Sequence, residues 1–326
     1  MFNGLIPDRP LGDRAFWARP VRGDTSATLW NGTHAYDELP RVLDPPNGWV
    51  QNANEQPWTV TVPVLLHPDA FPAYMAPRGM GLRPQRSVRM LMENPRMTLE
   101  EMVRLKHSTR LELADRVLDD LISAARASDF ADARGAADVL ERWDRSADAE
   151  SRGTVLFQGW AQAMAARSGG IGNLFAVGWT LSDPMSGPSG LRDPSLSAAV
   201  LDSVAPIIES RHGVLDVPWG ELYRLRRDTV DLPANGGPGE YGIFRVTTFA
   251  QDADGRHAAV QGDSFVAAVE FSTPIRARVL LGYGNASQPG SPHRTDQLHL
   301  YAIKELRPVC RTPAEIEANL KVRERF

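Results

Sequence analysis

The segment Trp49-Val50-Gln51-Asn52-Ala53-Asn54-Glu55-Gln56-Pro57-Trp58 carries four side-chain amides, Asn52 and Asn54 among them, on a loop held between Trp and Pro. Such a side chain suits an oxyanion, because it offers N–H donors with no protonation cost. The same letters also read as an Asn-rich turn, which composition alone favours. His293, Asp296 and His299 recur at intervals of three, the spacing that a metal site or an acid–base cluster needs on a helix. Gln288-Pro289-Gly290-Ser291-Pro292 forms a turn just before them, so we read chance spacing among seven His and a structural acceptor at Asp296. Gly262-Asp263-Ser264-Phe265 offers a serine with His293 or His257 as base. A nucleophile elbow needs G-x-S-x-G between a strand and a helix, whereas here no Gly follows and a strand does, so a structural turn is expected. Gly237-Pro238-Gly239-Glu240-Tyr241-Gly242 matches G-x-G-x-x-G, but it leads into a β pattern rather than opening a helix, and no nucleotide site is expected.

The elements that would position these residues change along the chain. Residues 1 to 80 are dense in Pro, Gly, Trp and Asn, with one β-like run at Thr59-Val60-Thr61-Val62. They read as loops and short strands with little helix. Thr98-Leu99-Glu100-Glu101 is a capping box that should start a helix at 99. Leu111, Ala114, Val117, Leu118, Leu121 and Ile122, then Ala136, Val139, Leu140 and Trp143, mark two further amphipathic helices. Asp115, Asp119 and Arg126 fall on their outer face and read as solvated ion pairs without a function. After the Gly- and Pro-rich stretch 168–194, a helix capped by Asp193 ahead of Pro194 is expected over 195–210. Beyond Asn235-Gly236-Gly237 the period falls to two, over 243–249, 265–271 and 275–283, which predicts a small antiparallel sheet. Thr312-Pro313-Ala314-Glu315 begins a last capped helix running to Arg325.

Composition excludes several function classes. The 326 residues carry 36 basic and 40 acidic side chains, a net charge of −4, so nucleic acid is not an expected partner. No apolar run approaches the roughly 20 residues that span a bilayer, so no membrane partner is expected either. A single cysteine, Cys310, excludes an internal disulfide framework and a multi-thiolate zinc site. Lys occurs only at 106, 304 and 321, an Arg bias that reflects genome composition rather than a site. The opening Met1-Phe2-Asn3-Gly4-Leu5-Ile6-Pro7 lacks the basic and apolar regions of an export signal and reads as a start in mid-structure.

The Asn-rich loop does not stand alone. Asn47-Gly48-Trp49 through Trp58 resembles the oxyanion loop of the penicillin acylase family, in particular the branch of acyl-homoserine-lactone acylases and aculeacin A acylase. Leu82-Arg83-Pro84-Gln85-Arg86 through Thr98 resembles the arginine-bearing segment of that family. Val217-Pro218-Trp219-Gly220-Glu221, Leu232-Pro233-Ala234-Asn235-Gly236-Gly237 and Tyr283-Gly284-Asn285 through Leu298 follow in the same order. Five ordered blocks covering nearly the whole chain are far more specific than any one.

The resemblance implies an N-terminal nucleophile hydrolase that cleaves the amide of an acylated small molecule. An N-terminal Ser attacks the carbonyl and its own α-amino group is the base. It implies that Asn54 donates to the oxyanion and that Arg83 orients the site. It implies an α+β fold: an incomplete four-layer αββα core with a helical insertion, divided as 1–97 with the oxyanion loop, 98–235 mainly helical, and 236–326 with strands and a C-terminal helix. Phe2 follows Met1, so the nucleophile and the His after it are expected upstream, with the α subunit and the N-terminal β segment of the same precursor as partners. No cofactor is expected. Calcium occurs in the family, but this chain offers only Asp69 as a weak candidate ligand. Family members are usually periplasmic or secreted. Two other classes stay open: a catalytically dead remnant or scaffold, and an independent metal hydrolase on His293, Asp296 and His299.

Overall fold

The structure, a computed structural model, describes residues 4–10 and 14–323. Up to residue 81 it is mostly loop, with one helical turn at Arg14–Trp17, short 3-10 turns and a two-stranded ladder, Pro7–Asp8 against Gly32–Thr33. The run Thr59-Val60-Thr61-Val62 is not a strand. Pro57 opens a 3-10 turn, Pro57–Thr59, and prolines at 57 and 63 withhold donors that a ladder needs. Trp58 instead packs with Leu66 and Ala76 in a small separate core, and its indole N–H donates to the Pro77 carbonyl at 2.7 Å.

Helix α1 (Leu82–Glu93) has no counterpart in the sequence-based reading. Pro84 reads as a breaker there, yet it stands in the first turn, where its missing N–H is one that a helix leaves unpaired anyway. Helix α2 (Leu99–Lys106) starts where the capping box predicts: the Thr98 hydroxyl accepts from the Glu101 amide at 3.2 Å, and the Glu101 carboxylate accepts from the Thr98 amide at 2.8 Å. Replacing Thr98 by Ala should lower unfolding stability by about 1 kcal/mol. A urea midpoint equal to the wild type's would show that the cap contributes nothing.

Helices α3 (Glu112–Ala127), α4 (Ala131–Arg142), α5 (Thr154–Ser168) and α6 (Pro194–His212) form the main core. The apolar stripe of α3 predicted from spacing is the buried one: Val117, Leu118 and Leu121 are each almost fully enclosed. On α5, Phe157 and Trp160 extend a ring stack from Trp143, with centroids 5.1 and 5.3 Å apart. Asp193 caps α6 by accepting from the Leu196 amide at 2.9 Å. Arg126 makes the expected surface pairs with Asp138 and Glu141, but Asp115 is drawn inward between Arg110 and Arg145.

Two small sheets replace the single antiparallel one. Strands β1 (Tyr223–Arg227), β2 (Val230–Pro233), β3 (Thr247–Gln251) and β4 (His257–Gly262) form one sheet in the order β2-β1-β4-β3. The β3–β4 hairpin returns so that β4 lies parallel to β1, Tyr223 opposite His257. Strands β5 (Phe265–Glu270), β6 (Arg276–Leu281) and β7 (Arg307–Pro308) form the other, in the order β7-β6-β5. Residues 243–246 are not strand, because their backbone bonds go elsewhere: Arg245 N–H to the Ser108 carbonyl at 3.0 Å, and the Arg245 carbonyl to Gly237 N–H at 3.4 Å. Helix α7 (Leu298–Ala302) follows, and α8 (Pro313–Ala318), capped by Thr312 as predicted, ends well short of Arg325.

Candidate active site

Two elements meet at Asn54. The loop 51–55 is anchored at its base, where the Gln51 amide donates to the Val60 carbonyl at 2.8 Å and the Gln51 side chain to the Thr59 carbonyl at 3.1 Å. Its tip is folded on itself: Asn54 N–H donates to Asn52 Oδ1 at 3.0 Å, and Asn52 Nδ2 to the Glu55 carbonyl at 3.2 Å. Asn54 has φ of 66°, left-handed backbone that Asn tolerates better than most residues. From the other side, Arg83 on the first turn of α1 donates to the Ala53 carbonyl at 2.6 Å and to Asn54 Oδ1. Since Arg83 is a donor only, the oxygen of the Asn54 amide faces it and the Nδ2 hydrogens are left to point away.

Arg83 holds this place against local preference. A cation at a helix N-terminus opposes the macrodipole, and burial lowers the guanidinium pKa, an effect that Glu55 and Asp263 oppose by their charge. The half-buried Glu55 carboxylate accepts from the Ala53 amide and from Gln51 Nε2, both at 2.5 Å. Burial raises its pKa, while those hydrogen bonds and Arg83 act in the opposite sense. Asp263 in turn is paired with Lys106 at 2.6 Å.

The placement of Arg83 depends on close packing beneath it. A Cβ at Gly242, whose φ is 80°, would lie 2.4 Å from Glu112 Cβ and 3.0 Å from Leu82 Cβ, so only Gly lets α1 begin against α3 here. A Cβ at Gly239 would lie 3.3 Å from Arg83 Cδ. The glycines that mimic a nucleotide fingerprint therefore form a 3-10 turn, Gly239–Tyr241, that backs the arginine. The buried Glu112 also ties the helices, accepting from Arg89 at 2.8 Å and Arg116 at 2.9 Å.

The other candidates are not assembled for chemistry. His293 Nδ1 lies 2.8 Å from Asp296 on the surface, while His299 is an exposed residue of α7. Asp69, the weak calcium candidate, is exposed and paired with Arg78. Among the described residues no group of three or more His, Cys, Asp or Glu is placed to hold a metal ion. Ser264 occupies a strand-to-strand turn, its carbonyl accepting from Gly282 N–H at 2.9 Å. A cavity of about 800 Å³ lies between Phe271–Arg278 and Pro308–Glu315, with neither Asn54 nor Arg83 in its wall. The role of Glu55 is missing from the sequence-based reading; its signal would have been a carboxylate directly after Asn52-Ala53-Asn54.

The remaining sequence blocks serve packing. Trp219 is fully buried and stacks on Tyr223, centroids 3.5 Å apart. Asn235 bridges two segments, accepting from Ala149 N–H at 2.9 Å and donating to the Ala302 carbonyl at 2.7 Å. Gln297 joins Leu281 N–H and Asn285 Oδ1, each at 2.9 Å.

The chain is 27% identical over 319 residues to the acyl-homoserine lactone acylase PvdQ of Pseudomonas fluorescens, covering 91% of this chain and 40% of that protein. It is 31% identical over 229 residues to the aculeacin-A acylase of Actinoplanes utahensis, covering 66% of this chain and 28% of the relative. It thus spans well under half the length of these relatives. A thermostable penicillin G acylase from Alcaligenes faecalis superposes with a TM-score of 0.60 at 17% identity, covering 99% of this chain and 64% of that one, which gives the fold as that of a penicillin acylase. The sequence model of the penicillin amidase family matches residues 1–318, and the chain belongs to that family.

Proposed function

We propose that this chain is the C-terminal part of the β subunit of an acylase. The whole enzyme would cleave the amide of an acylated small molecule of the penicillin, acyl-homoserine lactone or lipopeptide type. The observation that carries the reading is the Arg83–Asn54 contact, which leaves an amide N–H pair oriented and without a partner among the described residues. Family membership and the names of the relatives supply the reaction class.

On this reading Asn54 Nδ2 donates to the oxyanion of the tetrahedral intermediate. The nucleophilic Ser belongs to a preceding segment, in keeping with the 40% span of the relative's length. That segment and the α subunit of the same precursor would cover the loop, which is exposed at Asn54. They would also complete the four-layer core to which the two sheets contribute. The acyl carbon becomes bonded to the Ser oxygen, the amine leaves with a proton, and water then releases the acid and restores the Ser. Desolvation by the covering segment strengthens the Asn54 donor, since hydrogen bonds to developing charge are worth more away from water.

The test is reconstitution. The 326-residue chain, joined or mixed with the polypeptide encoded immediately upstream, is assayed on a chromogenic long-chain acyl amide. Turnover by the pair and none by either part alone is the expected result. Full turnover by the isolated chain would refute the division of labour, and no turnover by a folded, processed pair would refute the acylase assignment.

A further inference from the structure

Asn54 departs from the backbone that most L-residues prefer, with φ of 66°, and its loop is exposed at Asn52 and Asn54. Something must hold it there. Arg83 grips the loop only from outside, at the Ala53 carbonyl and Asn54 Oδ1. From inside, the Glu55 carboxylate reaches back over the turn with both oxygens engaged. One accepts from Ala53 N–H and the other from Gln51 Nε2. Gln51 is itself fixed to the Thr59 and Val60 carbonyls, on either side of which the buried Trp58 and Thr61 sit. The carboxylate thus joins the tip of the loop to its rigid base through two charge-assisted bonds, stronger and more directional than neutral ones.

We infer that Glu55 is a positioning residue: its carboxylate holds residues 51–55 in the conformation that offers the Asn54 amide, and losing that charge lowers turnover through Asn54 rather than through substrate binding. This rests on the acylase reading for its effect on turnover, but not for its effect on the loop. A neutral carboxamide has one acceptor oxygen where two donors must be met, so in Glu55→Gln either Ala53 N–H or Gln51 Nε2 loses its partner. The charged group facing Glu55 is Arg83, which Asp263 balances in turn. Protonation of Glu55 removes the same bond that the substitution removes, and burial places that protonation above the usual range for Glu.

The decisive measurement needs no turnover. In the 326-residue chain labelled with 15N-alanine, the Ala53 amide proton is expected far downfield at pH 8. It should move upfield along a single titration above the usual carboxylate range, and Glu55→Gln should abolish that movement. An Ala53 resonance that ignores pH in the wild-type chain, or that titrates unchanged in Glu55→Gln, overturns the inference. In the reconstituted acylase, Glu55→Gln should lower kcat about tenfold with KM unchanged, and the acid limb of the wild-type kcat profile should vanish in the variant. A variant with wild-type kcat, or one whose loss lies wholly in KM, also overturns it. If the wild-type assembly shows no turnover, the acylase reading fails and the Ala53 titration alone decides the role of Glu55.

Discussion

Replacing Asn54 by Ala in the reconstituted acylase should lower kcat by about 10²–10³, equivalent to roughly 3–4 kcal/mol of transition-state stabilisation, with KM nearly unchanged. The size follows from what is removed. Ala deletes a donor that is already oriented, because the Arg83 bond fixes the oxygen of the amide and leaves Nδ2 facing outward. On the proposed reading the donor acts on charge that exists only in the transition state, so the loss should appear in kcat. Arg83→Ala should cost less, because Asn54 stays present but is free to turn its amide. The double variant should be close to Asn54→Ala alone, since an orienting residue has nothing left to orient, and that non-additivity separates it from an independent contributor. Arg83→Lys should recover only part of the loss, because an ammonium cannot reproduce the planar fork that spans Ala53 O and Asn54 Oδ1. Steady-state kinetics on the four variants decides it. An Asn54→Ala enzyme within threefold of wild type would remove Asn54 from the oxyanion site.

The sequence exposed different parts of this molecule to different degrees, for identifiable reasons. Helices α3, α4 and α6 were legible because each buries one continuous stripe, and their caps or spacing mark the ends, as at Asp193. Helix α1 was hidden by Pro84, a residue that ends helices except in the first turn. Strand β4 was hidden because His257-Ala258-Ala259-Val260-Gln261-Gly262 has little β character; its place is set by pairing to β3 and β1 rather than by its own residues. At the candidate site, Asn54 and Arg83 were singled out by family resemblance, and their contact across 29 positions is visible only in the structure, since no periodicity connects a loop to a helix that distant. Glu55 stayed invisible for the converse reason. A carboxylate next to an Asn-rich turn is ordinary in a sequence, and only its two bonds inside the loop distinguish it.

Unfolding stability should fall steeply as pH drops from 7 to 4, and His107 should account for about 3 kcal/mol of that fall. The imidazole closes the C-terminal end of α2 and is almost fully buried, and neither ring nitrogen has a hydrogen-bond partner among the described residues. Burial pushes its pKa from 6.5 down to about 3, and the buried Arg245 with Lys106 and Lys304 pushes the same way. The sign follows from the direction of that shift. The folded chain resists a proton that the unfolded chain takes up near 6.5, so this part of the stability is complete above 6.5 and is lost progressively as pH falls toward 3. Helix α2 also carries Lys106, which pairs with Asp263, so opening this end would reach the charges around Arg83. The test is His107→Leu, which replaces an unpaired polar ring by an apolar side chain of similar volume and should cost little at pH 7. Urea unfolding of both proteins at pH 7 and pH 4 gives four free energies, and the wild type should lose about 3 kcal/mol more than the variant between the two conditions. Equal losses would mean that His107 is not what makes the fold acid-sensitive, and that its ring is able to accept a proton in place.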